Sequence, residues 1–262
     1  MIYIFVLLLL LFLSFHYDIC GRKEHKNFWY FFVLVTFILI AGLRFRIGAD
    51  TTNYIERFYH EYPDITKLSI DDFHLGSDPA FVLVNSFVKS LGGRFYVVQL
   101  IHALFINTMI FGYFKKHCSY IFTVIFFYFI YIYISFNMEI MRASTSIVIC
   151  LYANDYIQEK KWIKGYFLYL VALSFHIQTL LLFILPPFFF LKFNKTGLCI
   201  LSGAFFLGFY LQILLGEYMF LLDGSEILQD KAISYVESEE FGEQNHKIAY
   251  IVLPKLVTGL VT

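Results

Sequence analysis

Charge is what this sequence has least of. Lys, Arg, Asp and Glu make up 15% of its 262 residues, against about 25% in soluble domains. Lys/Arg and Asp/Glu are equal at 20 each. That balance excludes bulk attraction to nucleic acid or to anionic lipid. Cysteine is sparse too. Cys20, Cys118, Cys150 and Cys199 lie in or beside apolar runs, and none pairs at a metal-ligand spacing. They argue against a disulfide framework and read as small apolar filler. The apolar residues 2–15 lack both a basic stretch before them and a small-residue cleavage site after them. They therefore read as a retained helix rather than a signal peptide. There is no internal repeat, heptad or low-complexity tract.

What is present is apolar and aromatic. The chain is 59% hydrophobic and 21% aromatic, with 33 Phe and 20 Tyr, and its mean hydropathy is +0.68. Such a composition suits lipid-facing and interfacial surface. It predicts an all-α, polytopic integral membrane helix bundle with about eight or nine membrane segments. Residues 1–262 then form a single membrane domain.

Lys and Arg gather in short connections at 22–26, 115–116, 160–164 and 192–195. By the positive-inside rule these are cytoplasmic. Segment 28–43 then runs outward, 95–114 inward, 120–136 outward and 140–157 inward, and loop 44–94 lies outside. Within that loop, Asp78-Pro79 opens a helical pattern closed by Gly92-Gly93. Its length of about thirteen residues falls short of the ~20 a span needs. It reads as an interfacial helix or a partial span. Residues 166–193 form either one long tilted helix or two short helices turning at Phe175-His176. The hairpin keeps loop 217–247, with eight acids and two lysines, on the outer side. A span at 198–215 precedes that loop, which includes a candidate interfacial helix at 227–238. The last apolar run, 248–262, stops without flanking charge and reads as cut within a helix, so the natural product is expected to continue.

The sequence is organised around residues 43–54. An apolar run ends there in Arg44 and Arg46, followed by Asp50 and Tyr54. An Arg or Asp near a helix centre costs about 2.5–3.5 kcal/mol on insertion scales. Such groups therefore sit at a membrane edge or face a wet cavity. The outer face collects Arg44, Arg46, Asp50, Tyr54, Glu139, Arg142 and His176. Arginine forks match phosphate oxygens in pairs. Preorganised arginines would stabilise a pyrophosphate as it leaves a sugar, and Asp50 or His176 could take the proton of an attacking hydroxyl. Each residue also has a plainer reading. Arg44 and Arg46 could anchor a helix end, and Asp50 could cap a helix from Thr51. Glu139 and Arg142 could form an i,i+3 ion pair, and His176 could be a satisfied interior histidine.

The motifs resemble those of the EpsG family, the Wzy-like polymerases of bacterial surface polysaccharides. The resemblance rests on Phe45-Arg46-Ile47-Gly48-Ala49-Asp50 with Tyr54, on Asp78-Pro79-Ala80-Phe81, and on Asn137 to Arg142. It extends to Phe175-His176 through Leu180 to Pro186, and so covers residues ~25–190 in the family's order. Three departures stand out: the spacing of Asp50 and Tyr54, Asp78 in place of Glu, and Ala143 in place of Gln. The resemblance implies a glycosyltransferase C-type membrane architecture, with Asp50 in the place of that architecture's key outer-loop acid. It implies a membrane glycosyltransferase that joins oligosaccharide repeat units carried on undecaprenyl pyrophosphate, to make O-antigen, capsule or exopolysaccharide. Asp50 and His176 would be catalytic, and Arg44, Arg46 and Arg142 would hold the pyrophosphate. Tyr54, Asp78 and Glu139 would be further substrate contacts. No cofactor or metal is implied. The partners would be the lipid-linked oligosaccharide, the bilayer and a chain-length regulator protein. The site would work at the outer face of the bacterial inner membrane. The alternatives are a polysaccharide ligase using the same donor, or a flippase of lipid-linked sugars.

Overall fold

The computed structural model describes residues 2–48, 50–69, 73, 78–184, 186–190 and 194–221. The chain divides into two units, Met1–Phe190 and Leu191–Thr262. The described residues contain helices and no strand. Asp71, Asp72 and His74 of the first outer loop, and the predicted elements at 227–238 and 248–262, lie outside the described residues.

In the first unit, α1 (Ile2–Leu13) continues as a π-helical turn, Ser14–Ile19. Then come α2 (Lys26–Gly42), α3 (Thr51–His60) and α4 (Pro79–Ser90). The longest is α5 (Phe95–His117), followed by α6 (Ile121–Tyr131), α7 (Met141–Gln158) and α8 (Trp162–Phe175). The second unit contributes α9 (Lys195–Leu221). Among the described residues, two helical stretches are long and apolar enough to cross a bilayer, Ile2–Ile19 and Phe95–His117. The apolar helices Lys26–Gly42, Ile121–Tyr131 and Trp162–Phe175 are shorter. Fewer helices thus reach spanning length than the eight or so segments the hydropathy predicts. Breaks explain part of the difference. The predicted span at 120–136 is α6 plus a separate π-helical turn, Ser135–Glu139. The run at 166–193 breaks at His176, whose backbone is extended.

Side-chain contacts fix the helix directions. Tyr3 lies against Phe129, and Ser14 bonds Thr123, so α6 runs antiparallel to α1. Tyr30 meets Phe111, while Gln99 donates to the carbonyl of Gly42, so α2 and α5 are antiparallel. His102 reaches Ser144, and Lys116 reaches Asp155, so α7 runs parallel to α5. Tyr169 bonds Asn154, so α8 returns antiparallel to α7. A Cβ on Gly165 would come within 2.4 Å of Ile157, so the missing side chain is what lets α7 and α8 approach closely. Small residues serve this purpose where lipid gives helices no hydrophobic drive to associate. After His176 the chain runs back along α8 as two 3₁₀ stretches, Ile177–Ile184 and Pro186–Phe190. Phe183 packs on Tyr169, and Phe190 on Trp162. This is the hairpin alternative, with a 3₁₀ return arm.

The alternation sorts the polar residues into two ends. Lys26, Lys116 and His117 sit at one end, where Lys26 pairs with buried Asp18 and the other two pair with Asp155. The other end gathers the C-termini of α2 and α8, the N-termini of α5 and α7, and α3 and α4. A core of Tyr54, Phe58, Tyr62, Phe81, Val82, Phe95 and Met141 seats α3 and α4 there. Lys89 of α4 donates to the carbonyls of Phe58, Tyr59 and Tyr62, satisfying the C-terminal end of α3, where a cation is favoured.

Candidate active site

One backbone carbonyl organises the site. Asn137 is buried in the π-helical turn before α7. Its amide donates to the Tyr128 hydroxyl and the Tyr133 carbonyl, and accepts from Asn107. This fixed turn presents the carbonyl of Met138. Arg44 Nη2 (3.3 Å) and the Thr51 hydroxyl (3.2 Å) both donate to it. Gly48, at φ 109°, passes so close that a Cβ would lie 2.2 Å from the same oxygen. The glycine of the 45–54 motif is therefore required both by its backbone conformation and by space.

The arginines of that motif part company. Arg44 is buried, and its guanidinium also donates to the carbonyls of Ala41 (2.8 Å) and Ile47 (3.1 Å). Burial lowers its pKa to about 10, so it stays cationic at neutral pH. Its donors bind protein backbone, which makes it a staple between the end of α2 and the 137–142 turn. The expected phosphate role is not what this geometry supports, because the fork points inward. Arg46 is exposed, in a left-handed conformation (φ 50°), with its guanidinium 5.5 Å from the Phe45 ring.

Asp78 is the hub. It occupies the position before Pro79 at the start of α4, makes no side-chain capping bond and is 3% exposed. Its Oδ2 accepts from Arg142 Nη1 at 2.6 Å and stands 3.7 Å from His176 Nδ1; its Oδ1 accepts from the Ile177 amide at 3.2 Å. Burial pushes the Asp78 carboxyl up. The His176 imidazole, the Arg142 guanidinium and the Ile177 amide outweigh that and hold it below the usual carboxylate range. Arg142 thus pairs with Asp78 rather than with Glu139, and its guanidinium also lies 5.7 Å from the Tyr54 ring. The half-buried Glu139 has no ion pair among the described residues.

Asp50 precedes α3 but makes no side-chain capping bond, so the geometry does not support the cap reading. It lines a cavity of about 290 Å³ with Asn53, Tyr54, Glu56, Arg57, Glu61 and Arg142. Asp50, Tyr54, Asp78, Arg142 and His176 therefore gather at one end of the bundle, linked through Arg142. Neither Arg44 nor Arg46 lines this cavity, so the three predicted pyrophosphate arginines do not converge on it. Sequence reasoning gave Asp78 a minor part and passed over His102. That side chain is buried in α5, with Nε2 3.1 Å from both the Met141 carbonyl and the Ser144 hydroxyl, directly beneath the start of α7. With Phe81, Val84, Phe105, Thr145 and Phe175, His102 borders an apolar cavity of about 140 Å³. Phe105 and Phe175 also line a larger apolar groove of about 690 Å³ along α5, α7 and α8.

No curated protein and no solved structure matches this chain. The model of the EpsG family, however, matches residues 27–261, which takes in α2, every residue of the site and all of α9. With that span matched, and with an all-α chain rich in apolar helices, this membrane protein belongs to the EpsG family of polysaccharide biosynthesis.

Proposed function

We propose that the chain is a membrane glycosyltransferase that polymerises oligosaccharide repeat units carried on a polyprenyl pyrophosphate, at the outer face of the bacterial inner membrane. One observation carries the reading. Arg142 of the Arg142–Asp78 pair lines a polar cavity with Asp50, and an apolar cavity is bordered by Phe81 and Thr145, each three residues beyond a member of the pair, and by Phe175 next to His176. A lipid-pyrophosphate-sugar has the same order of parts: apolar chain, anionic junction, polar glycan. The cationic connections at 22–26, 115–116 and 160–164 lie at the opposite end of the bundle, which supports an outward-facing site.

The chemistry follows from the residues. A hydroxyl oxygen of the acceptor repeat unit attacks the anomeric carbon of the donor unit. The bond from that carbon to the pyrophosphate oxygen breaks, and its electron pair leaves with the lipid pyrophosphate. The hydroxyl proton passes to the Asp50 carboxylate, with His176 as the competing base. Exposed Arg46, and the part of the Arg142 fork that Asp78 leaves open, neutralise the departing pyrophosphate. Arg44 is removed from that role because its donors are used internally.

The lipid-linked glycans of a deletion strain test the proposal. A polymerase predicts that single repeat units accumulate on the carrier. Long polymer accumulating on the carrier would instead indicate a ligase. A normal polymer ladder would reject both.

A further inference from the structure

The polar cavity has a composition that neither the family nor the residues already assigned accounts for. Asp50, Asn53, Arg57 and Glu61 recur at helical spacing and put one face of α3 along it, with Glu56 beside them. Arg142 and buried Tyr54 complete the lining. Of the two guanidiniums that line it, Arg57 is held by a residue of the same face and Arg142 spends Nη1 on Asp78. Arg57 Nε donates to Glu61 Oε2 at 2.6 Å, and Arg142 Nη1 donates to Asp78 at 2.6 Å. Asp50, Asn53 and Glu56, by contrast, make no side-chain hydrogen bond or ion pair among the described residues. The groups of this helix face left to meet an occupant are two carboxylates and one amide.

That balance selects the occupant. A phosphate or pyrophosphate seated against this face of α3 would meet the carboxylates of Asp50 and Glu56, with the Arg57 cation on that face already held by Glu61. Like charges brought together in a partly buried site repel. A neutral ring bearing several hydroxyls meets the opposite situation. Each carboxylate oxygen accepts from a hydroxyl, and the Asn53 amide both donates and accepts. About 290 Å³ lies at the small end of ligand pockets, which suits one or two sugar rings rather than a lipid. Of the two glycans in the reaction, the acceptor fits, because Asp50 lines the cavity and its proton comes from the acceptor hydroxyl.

We propose that this cavity is the acceptor-sugar subsite, and that Asn53 and Glu56 are its specificity-determining residues. The assignment rests on the polymerase reading above. It is tested by a measurement that does not require turnover. The probe is the repeat-unit oligosaccharide released from its lipid pyrophosphate by mild acid, titrated into the purified full-length protein and followed by saturation-transfer NMR. Binding to the wild type is expected, with Asn53→Ala and Glu56→Gln each weakening it about tenfold and leaving the thermal midpoint unchanged, since both side chains are exposed. Inorganic pyrophosphate at the same concentration is expected not to displace the oligosaccharide. In polymerisation assays the same variants raise KM for a soluble acceptor that carries no pyrophosphate, while KM for the lipid-linked donor holds. Wild-type affinity in both variants overturns the subsite, as does displacement by pyrophosphate. A wild-type protein that binds the oligosaccharide but makes no polymer refutes the polymerase reading and leaves the sugar site standing.

Discussion

Arg142 Nη1 lies 2.6 Å from Asp78 Oδ2, and the two residues are 64 apart in sequence. The pair joins the start of α4 to the first turn of α7, and His176 approaches the same carboxylate oxygen. Breaking a buried ion pair by removing one partner costs about 3–5 kcal/mol. Arg142 keeps 27% side-chain exposure, so water recovers part of that and the loss falls toward the low end. Asp78→Asn is expected to lower thermal stability in detergent and to abolish long polymer. A double-mutant cycle with Arg142→Gln should give a coupling of about 1–3 kcal/mol. Additive effects would mean that the contact carries no energy.

The same carboxylate fixes a pH dependence. Its folded-state pKa is depressed, by charges and hydrogen bonds that outweigh burial. A depressed acid contributes stability above its unfolded value, about 3.9. The contribution is lost as pH falls below that, through the folded value. The thermal midpoint should therefore be insensitive to Asp78 between about pH 5 and 7 and should drop in stronger acid. Asp78→Asn should flatten the acid limb. An unchanged acid limb in that variant would assign the drop to other groups.

Arg44 and Arg46 should separate cleanly. Arg44→Lys keeps the charge but loses a fork that bonds the carbonyls of Ala41, Ile47 and Met138, so abundance and stability should fall. Arg46→Gly removes left-handed strain of about 1–2 kcal/mol. It also adds about 0.4–1 kcal/mol of unfolded-chain entropy. Stability should stay near wild type while polymerisation falls about 10²–10³-fold, the cost of losing one preorganised donor. Full activity in Arg46→Gly would reduce Arg46 to an interfacial anchor.

Gly48 supplies a steric test of the carbonyl hub. The Cβ of Gly48→Ala would meet the Met138 oxygen at 2.2 Å and force a residue other than glycine into φ 109°. The 44–51 segment must then lift off the turn. A destabilisation of about 1–3 kcal/mol is expected from the clash, with activity lost because Asp50 moves away from Arg142. Wild-type melting and activity together would show that the turn yields without consequence.

Much of this was legible in the sequence, and the remainder has physical reasons. Helix positions followed from apolar runs and from punctuation such as Asp78-Pro79 and Gly92-Gly93. The break at His176 was one of two open readings, since an apolar run is equally compatible with a helix and with a 3₁₀ return arm. Arg44 and Arg46 looked equivalent because they are one residue apart. The left-handed turn at Arg46 and the helix end at Gly42 send one inward and the other to solvent. Asp78 looked like a helix start, which it is; no local signal could show that Arg142 and Ile177 would arrive at its two oxygens from far along the chain. His102 sits in an apolar helix, where a histidine reads as core.

Asp50 decides the mechanism. A capping aspartate is worth about 0.5–2 kcal/mol to its helix, and asparagine serves nearly as well. Here the side chain makes no capping bond, so Asp50→Asn should leave stability and abundance at wild-type levels. Asparagine cannot take a proton. Loss of a general base costs about 10²–10⁴ in rate, so the variant should bind lipid-linked repeat units yet build little or no long polymer. His176 lies 3.7 Å from Asp78 and bridges to the same arginine through it, which makes it the competing base. His176→Gln should be measured beside it, with chain-length distributions read from both. In the Asp50 mechanism, Asp50→Asn abolishes long polymer, while His176→Gln slows the reaction by loosening Asp78 and Arg142. Wild-type chain lengths in Asp50→Asn, with none in His176→Gln, would move the proton to His176 and leave Asp50 as a ligand for the acceptor sugar.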